Sequence, residues 1–229
     1  MPIMNGSTRD EGNFFVAAQE YFSGDPRHAI SREDVQTYVK NVFSGNAGAG
    51  GTQPAYPAGT VEGVLKQYPS DAYPSEQLRL NAIETDVMVC RIQHGSRLLA
   101  GQVPVYAYEF RDRTAPFYFP EMPDFLPLAY HTADLLYLFP GFHGGDQGIK
   151  HELNAPQRKL SDYLVDAWAN FAWTGNPNRK GDVPWPLYRR DPAVKSILAQ
   201  DIFELSVMSD GDFSQEHKCD FWDDKLVYN

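Results

Sequence analysis

Apolar residues recur along this chain with two different spacings. A short apolar run lies within residues 1–5, and a longer one, VPVYAYEF, covers residues 103–110. Runs of this length and composition predict strands, and the second is apolar enough to be buried on both faces, as in a parallel sheet. The segment SILAQDIFELS at residues 196–206 predicts one or two further short strands.

Four longer segments have the three- and four-residue spacing of amphipathic helices. They cover residues 13–22, 31–43, 75–99 and 154–174, and the third is expected to break once near residues 84–86. Ser31 lies three residues before Asp34, which resembles a capping box, and Gly175 ends the fourth helix. Residues 216–226 predict one more helical turn. Helix and buried strand in alternation indicate an α/β protein.

The apolar positions of these helices predict which faces are buried. The residues expected in the core are Phe14, Phe15, Ala18 and Phe22 in the first helix, Val35, Val39, Val42 and Phe43 in the second, and Leu160, Leu164 and the aromatic residues at 168–173 in the fourth, with Tyr106 and Tyr108. Two segments predict irregular structure. Residues 111–128 are rich in proline, and residues 45–59, GNAGAGGTQPAYPAG, predict a flexible surface insertion.

Length and charge narrow the functional class. The chain has 229 residues and 42% hydrophobic residues, enough for a substantial core. Its formal net charge is −10 and its basic residues are scattered, which argues against nucleic acid or an anionic membrane surface as a partner. No apolar stretch approaches the roughly 20 residues that a membrane-spanning helix needs. We therefore expect an acidic globular protein with no membrane span.

Two polar residues follow apolar segments at places suited to catalysis. Glu11 comes after the first apolar run, and His131 comes after the segment that ends at Tyr130. In a hydrolytic triad an imidazole takes the proton of the nucleophile, and a carboxylate behind it fixes the tautomer and stabilises the imidazolium. On this pattern alone, a single histidine is more often an ordinary core or surface residue.

Four motifs together resemble one family. GSTRDEGNFF, AYHTADLLYLF, FAWTGNPN followed by PWPLY, and CDFWD are similar, in this order, to the signatures of the type-B carboxylesterases. The resemblance spans essentially the whole chain but only the C-terminal portion, somewhat under half, of such an enzyme. It implies the C-terminal part of one α/β-hydrolase domain over residues 1–229: the last strands of a mostly parallel sheet with flanking helices.

The same resemblance implies roles for individual residues. Glu11 matches the family's catalytic acid and His131 its base, while Asp10 and Asp134 are the second candidates for the acid. Phe14 and Phe15 match positions that line the acyl and substrate pocket, although as helix residues they suit a core equally well. The implied substrate is a small-molecule carboxylic ester, and no cofactor is needed.

The family's nucleophile has no counterpart in this sequence. A serine in Gly-x-Ser-x-Gly and a glycine-rich oxyanion loop precede the acid in such enzymes, and no serine here has that pattern. His143-Gly144-Gly145 is expected to form a surface turn rather than an oxyanion loop, and His143 with His151 lacks a third metal ligand. We therefore expect an inactive isolated chain that needs the missing N-terminal portion as its partner, with two to four strands and an exposed sheet edge. The alternatives are a catalytically silent, esterase-like binding or adhesion module and a truncated, non-functional product.

The two cysteines could be free thiols or a disulfide on sequence grounds alone. The family resemblance implies that Cys90 pairs with Cys219. A disulfide favours an oxidising compartment, so we expect a secreted or periplasmic protein whose signal, absent from this chain, would lie upstream.

Overall fold

Four strands form one mixed sheet in the described part of the protein. The computed structural model describes residues 1–24, 26–44, 56–120 and 122–226. The strands are β1 (Ile3–Thr8), β2 (Val105–Phe110), β3 (Lys195–Gln200) and β4 (Ser206–Ser209). They lie in the order β1-β2-β3-β4, with β1, β2 and β3 parallel and β4 antiparallel to β3. The expected mostly parallel sheet is therefore confirmed, and among the described strands β1 has a neighbour on one side only.

Strand β2 is buried on both faces, as its composition predicts. Five of its six residues are buried, and Tyr106 and Val105 contribute to clusters on opposite sides of the sheet. The neighbouring β1 approaches it closely because Gly6 has no side chain. A Cβ atom at Gly6 would lie 2.5 Å from the Tyr108 ring, so only glycine fits beside this aromatic residue without a shift.

Helices cover both faces of the sheet. They are α1 (Gly12–Tyr21), α2 (Arg32–Phe43), α3 (Thr60–Gln67), α4 (Glu76–Leu99), α5 (Leu135–Leu138), α6 (Ala155–Thr174), α7 (Asp210–Glu216) and α8 (Cys219–Asp223), with a short 3-10 turn at Ser70–Ala72. Residues of α4 pack with Ala107 and Ile197 on one face, and Ala167 of α6 packs with Leu198 on the other. The sheet is thus a middle layer between α4 and α6.

The helix ends follow the sequence signals. The Ser31 hydroxyl accepts the Asp34 backbone N–H and the Asp34 carboxylate accepts the Ser31 backbone N–H, which completes the capping box of α2. Asn154 and Gln157 form the same reciprocal pair at the start of α6. Gly175 ends α6 with φ of +75°, a conformation that glycine adopts without steric cost.

The expected break in the third helix is wrong, because α4 is continuous from Glu76 to Leu99. The polar residues that suggested a break are buried and have partners. Thr85 accepts a hydrogen bond from the Gly12 backbone at 2.9 Å, and Asp86 accepts one from the Tyr68 hydroxyl at 2.7 Å. Polar side chains can lie on the buried face of a helix when other segments satisfy them.

The expected buried face of α1 is also wrong. Its buried residues are Gly12, Asn13, Val16, Ala17 and Glu20, and they face α4. Phe15 is 42% exposed and Phe22 is 77% exposed. Gly12 allows this contact, since a Cβ there would lie 2.5 Å from Glu84 Cβ. Phe15 and Phe22 therefore face away from the main core, whereas Tyr21 packs against it.

Other sequence predictions, on irregular segments and core residues, are confirmed only in part. Residues 111–120 and 122–128 contain no helix or strand, as predicted, whereas α3 and α7 were not predicted. Val42 and Trp173 are not core residues, because they are 38% and 89% exposed on the outer faces of their helices. Most of the predicted insertion, residues 45–55, lies outside the described residues.

The disulfide implied by the family resemblance is present. Cys90 of α4 and Cys219 of α8 are bonded; they are 129 positions apart in the sequence, and both side chains are buried. The bond fastens α8 to α4, the longest of the described helices. Trp222 of α8 packs beside it, with its indole N–H donating to the Tyr68 hydroxyl at 2.7 Å.

Candidate active site

Two loops at the carboxyl ends of the strands bring the candidate acid and base together. After β1, the Asp10 backbone N–H donates to the Ala129 carbonyl at 2.9 Å, and Asp10 forms an isolated parallel bridge with Tyr130. The residues that follow this bridge on each side are Glu11 and His131. A single backbone contact therefore sets the two candidate residues side by side.

Glu11 and His131 are hydrogen-bonded. His131 Nδ1 lies 2.6 Å from Glu11 Oε2, although the residues are 120 positions apart. The other Glu11 oxygen accepts the Thr8 backbone N–H at 2.7 Å. The Glu11 side chain is 6% exposed and that of His131 is 43% exposed, so a fixed, buried carboxylate supports an imidazole that reaches the surface.

The electrostatics of this pair favour a protonated imidazole. The hydrogen bond to Glu11 raises the pKa of His131, and the negative charge of Glu11 adds to the effect, against the opposing influence of burial. Burial, followed by repulsion from Glu11, raises the pKa of Asp134 to about 6. Two carboxyl groups therefore act on one imidazole, but only Glu11 is hydrogen-bonded to it.

The arrangement allows proton transfer at the far nitrogen of His131. With Glu11 accepting from Nδ1–H, the neutral ring presents Nε2 as a base. Among the described residues, the bond to Glu11 is the only hydrogen bond of the His131 ring. Nε2 is thus available to a hydroxyl group that approaches from outside.

Phe14 and Phe15 contact the imidazole directly. The Phe15 ring stacks on His131 with centroids 5.7 Å apart, and the Phe14 ring meets it edge-on at 5.8 Å. Phe14 also packs on Tyr118 and Phe119. The outward face of α1 therefore forms an aromatic wall beside the candidate base.

The second candidates for the acid occupy other positions. Asp10 accepts hydrogen bonds from Arg113 Nε at 2.9 Å and Nη2 at 2.8 Å, and also from Asn81 and the Ala129 backbone. Its carboxylate fastens the loop instead of facing His131. Asp134 precedes α5 and makes no hydrogen bond to the imidazole among the described residues. Glu11 is the carboxylate that the fold places on the ring.

The two histidines considered as a metal pair make separate contacts. His143 Nδ1 donates to the Gly141 carbonyl at 2.7 Å, in a turn where Gly141, Gly144 and Gly145 have positive φ. His151 Nε2 donates to the Phe117 carbonyl at 2.8 Å. Among the described residues, neither belongs to a group spaced to hold a metal ion.

A second histidine site was not foreseen. His217 lies between two buried carboxylates, with Nδ1 2.9 Å from Asp86 and Nε2 2.6 Å from Glu109. Despite the cost of burial, these carboxylates raise the pKa of His217 to about 10. Arg111 pairs with Glu109 and Glu216 at the same place. No local pattern links positions 86, 109 and 217, so sequence spacing has no signal for this cluster.

Comparison with known proteins identifies the family of this chain. The model of the carboxylesterase family matches residues 1–222. The chain belongs to the carboxylesterase family. Carboxylesterase 5A of Mus musculus is 33% identical to it over 125 residues, which are 54% of this chain and 20% of that protein. Acetylcholinesterase of Leptinotarsa decemlineata is 24% identical over 99% of this chain and 33% of its own length.

One bacterial relative and two solved structures are also similar to this chain. Para-nitrobenzyl esterase of Bacillus subtilis is 24% identical over 88% of this carboxylesterase-family chain and 35% of its own length. A solved thermophilic PNB esterase matches with a TM-score of 0.59 and 23% identity, over 95% of this chain and 38% of that one. A second PNB esterase matches with a TM-score of 0.56.

These matches fix the fold and the extent of the similarity. The mixed sheet with flanking helices is confirmed as an α/β-hydrolase fold, and it is consistent with a C-terminal part of such a fold. The chain spans between a fifth and about two fifths of the length of the relatives and structures described above. None of the described helices is both long enough and apolar enough to cross a membrane.

Proposed function

We propose that this chain supplies the acid and the base of a Ser-Glu-His triad to a carboxylic-ester hydrolase. The observation that carries the proposal is the 2.6 Å hydrogen bond between the buried Glu11 carboxylate and the partly exposed His131 ring. Family membership supports the reaction class. In this proposal residues 1–229 are the C-terminal portion of one domain.

The mechanism assigns a separate task to each residue. A serine supplied by polypeptide outside this chain attacks the ester carbonyl, and His131 Nε2 accepts its proton. Glu11 keeps the ring in the required tautomer and stabilises the imidazolium. His131 then protonates the departing alcohol, which leaves an acyl-enzyme, and the same residue activates the water that hydrolyses it.

The isolated chain is proposed to be inactive because it lacks the nucleophilic serine and the oxyanion hole. A positioned general base contributes about 10²- to 10⁴-fold in rate, and a single oxyanion-hole donor about another 10²- to 10³-fold. The sequence holds neither a Gly-x-Ser-x-Gly serine nor the glycine-rich oxyanion loop. The N-terminal portion of the enzyme, which carries both, is its proposed partner.

The proposed substrate is a small-molecule carboxylic ester, and no cofactor takes part. Phe14 and Phe15 are proposed to line the pocket, because their rings contact His131 and face away from the main core. The Cys90–Cys219 disulfide supports a secreted or periplasmic location, where such bonds persist.

Turnover of para-nitrophenyl acetate by the native protein tests this function. The intact mass of that protein and its labelling by a fluorophosphonate identify the polypeptide that carries the serine. Glu11→Gln and His131→Ala are each expected to lower turnover by several powers of ten, with an unchanged circular dichroism spectrum. Near-normal turnover by Glu11→Gln contradicts the acid assignment. Esterase-like rates from the 229-residue chain alone, abolished by His131→Ala, contradict the proposed division of the enzyme.

The same assay separates the alternatives. A catalytically silent binding or adhesion module yields a stable protein with neither turnover nor a labelled serine. A truncated product has no serine-bearing partner and is expected to be insoluble. The intact Glu11–His131 pair favours the enzyme over both.

A further inference from the structure

The candidate base lies in a strained turn. The Ala133 backbone N–H donates to the Tyr130 carbonyl at 2.9 Å, which closes a four-residue turn with His131 second and Thr132 third. Thr132 has φ of +75°, whereas His131 is not among the described residues with positive φ. This combination is that of a type II turn, whose third position favours glycine.

Threonine is poorly suited to this backbone conformation. A β-branched residue with positive φ is a genuine outlier, because its side chain crowds the neighbouring carbonyl groups. Three described non-glycine residues have positive φ, and two of them, Leu128 and Thr132, lie on either side of residues 129–131. Strain of this kind persists only where the surrounding structure holds it.

Among the described residues, Thr132 has one backbone and one side-chain hydrogen bond, and its carbonyl accepts the Leu135 N–H at 3.0 Å. Tyr118 Oη and Thr132 Oγ1 are 2.9 Å apart and share a hydrogen bond. Burial raises the pKa of Tyr118, so its hydroxyl stays protonated near neutral pH. The bond joins the proline-rich segment directly to the residue after the candidate base.

Tyr118 is itself firmly anchored. Its carbonyl accepts the Ile149 N–H at 2.9 Å, and its ring packs on Tyr130 with centroids 5.7 Å apart and on Phe142 at 5.8 Å. Gly144 lies so close that a Cβ atom there would be 2.3 Å from the ring. The tyrosine therefore offers a fixed point against which the turn can be held.

We propose that Tyr118 is a positioning residue: through Thr132 Oγ1, its hydroxyl holds the 130–133 turn in the conformation that directs His131 Nδ1 at Glu11. The catalytic meaning of this inference rests on the proposed function. The mechanical part does not, since it concerns only the conformation of the turn. A purely structural role would need the ring of Tyr118 but not its hydroxyl, which separates the two roles by experiment.

Nuclear magnetic resonance of the His131 ring in the isolated chain tests the proposal. Two signals report on the ring: the low-field resonance of the Nδ1 proton and the ring pKa. Tyr118→Phe keeps the ring and removes the hydroxyl, and is expected to lose the low-field signal and to move the pKa of His131 down toward about 6.5. Thr132→Val, which keeps the branched shape, is expected to do the same. The charged groups that act on the imidazole, Glu11 and Asp134, are unchanged in every variant.

Thr132→Gly provides the decisive control, because glycine adopts this φ without support. This variant is expected to keep both His131 signals. When Tyr118→Phe is added to it, both signals are expected to stay unchanged. Tyr130→Phe, which removes a hydroxyl bound to the Pro116 carbonyl, is expected to leave both signals intact. If Tyr118→Phe does not fold, the Thr132 variants decide alone.

Three results would overturn the inference. Unchanged His131 signals in Tyr118→Phe or in Thr132→Val remove the positioning role while leaving the proposed function intact. An equal effect of Tyr118→Phe in the Thr132→Gly background shows that the hydroxyl does not act through residue 132. A wild-type ring with an ordinary pKa and no low-field proton removes the Glu11–His131 pair itself, and the proposed function with it.

Discussion

Glu11 accepts a hydrogen bond from His131 at 2.6 Å while its second oxygen accepts the backbone N–H of Thr8, the last residue of β1. The carboxylate is thus fixed from both sides, by the strand that precedes it and by the imidazole that it supports. Preorganisation of this kind requires no rearrangement at the moment of proton transfer.

Glu11→Gln is expected to lower the pKa of His131 markedly, because the amide keeps the shape but removes the charge that stabilises the imidazolium. Titration of the ring carbons by NMR measures the change. Since the pKa of His131 is raised in the folded state, the pair stabilises the fold below the unfolded value of about 6.5, and this contribution is lost as pH rises through the folded pKa. An unchanged pKa in the variant contradicts the pairing.

Asp10→Asn is the matched control for Glu11→Gln, since it neutralises the adjacent carboxylate. Asp10 binds Arg113 and the Ala129 backbone rather than the imidazole. We expect a loss of about 1–3 kcal/mol in the free energy of unfolding, measured by urea denaturation, with the His131 pKa nearly unchanged. A fall in that pKa as large as in Glu11→Gln would show that the two acids are not distinct.

His217→Gln is expected to destabilise the protein by about 3–5 kcal/mol, because it leaves two buried carboxylates without the cation between them. Urea denaturation at pH 7 measures the loss. His143→Gln is the control, since His143 lies in an exposed turn. A loss for His217→Gln no larger than that of the control contradicts the charged state of His217.

The same residue predicts how stability depends on alkaline pH. Because the folded-state pKa of His217 is raised to about 10, its contribution is complete below the unfolded value of about 6.5 and falls as pH rises through 10. The urea midpoint of the wild-type protein is therefore expected to decrease between about pH 7 and 10. His217→Gln is expected to flatten this decrease, and an equally steep decrease in the variant would assign it to other groups.

Removal of the disulfide is expected to cost about 4–5 kcal/mol on the chain-entropy model, given a separation of 129 residues. Cys90→Ser with Cys219→Ser, compared with the wild-type protein with and without dithiothreitol, measures the effect on the urea midpoint. The reductant should leave the double variant unchanged. A double variant as stable as the oxidised protein contradicts the prediction.

Sequence patterns predicted the parts of the fold that depend on interactions between residues close together in the sequence. The apolar run of β2, the cap Ser31 and the terminating Gly175 all act locally, so neighbouring letters suffice to recognise them. The inward face of α1 was mispredicted because Glu20 is buried and paired with Arg27, while aromatic residues face outward. Counting apolar positions cannot detect a buried ion pair.

The candidate site was accessible to sequence reasoning only through family motifs. Spacing alone could not bring together Glu11 and His131, because their contact depends on the pairing of Asp10 with Tyr130. The His217 cluster and the Thr132–Tyr118 bond carry no motif and depend wholly on tertiary structure. Long-range polar contacts are therefore what the structure adds.

The one-sided pairing of β1 bears on how this polypeptide assembles. Among the described strands, β1 is hydrogen-bonded to β2 alone, and its free side presents backbone donors and acceptors to any strand that can align with them. Strand addition of this kind joins separate polypeptides through main-chain hydrogen bonds. The open side of β1 in the described sheet can thus accept one more strand from a separate polypeptide, with no covalent link between the two.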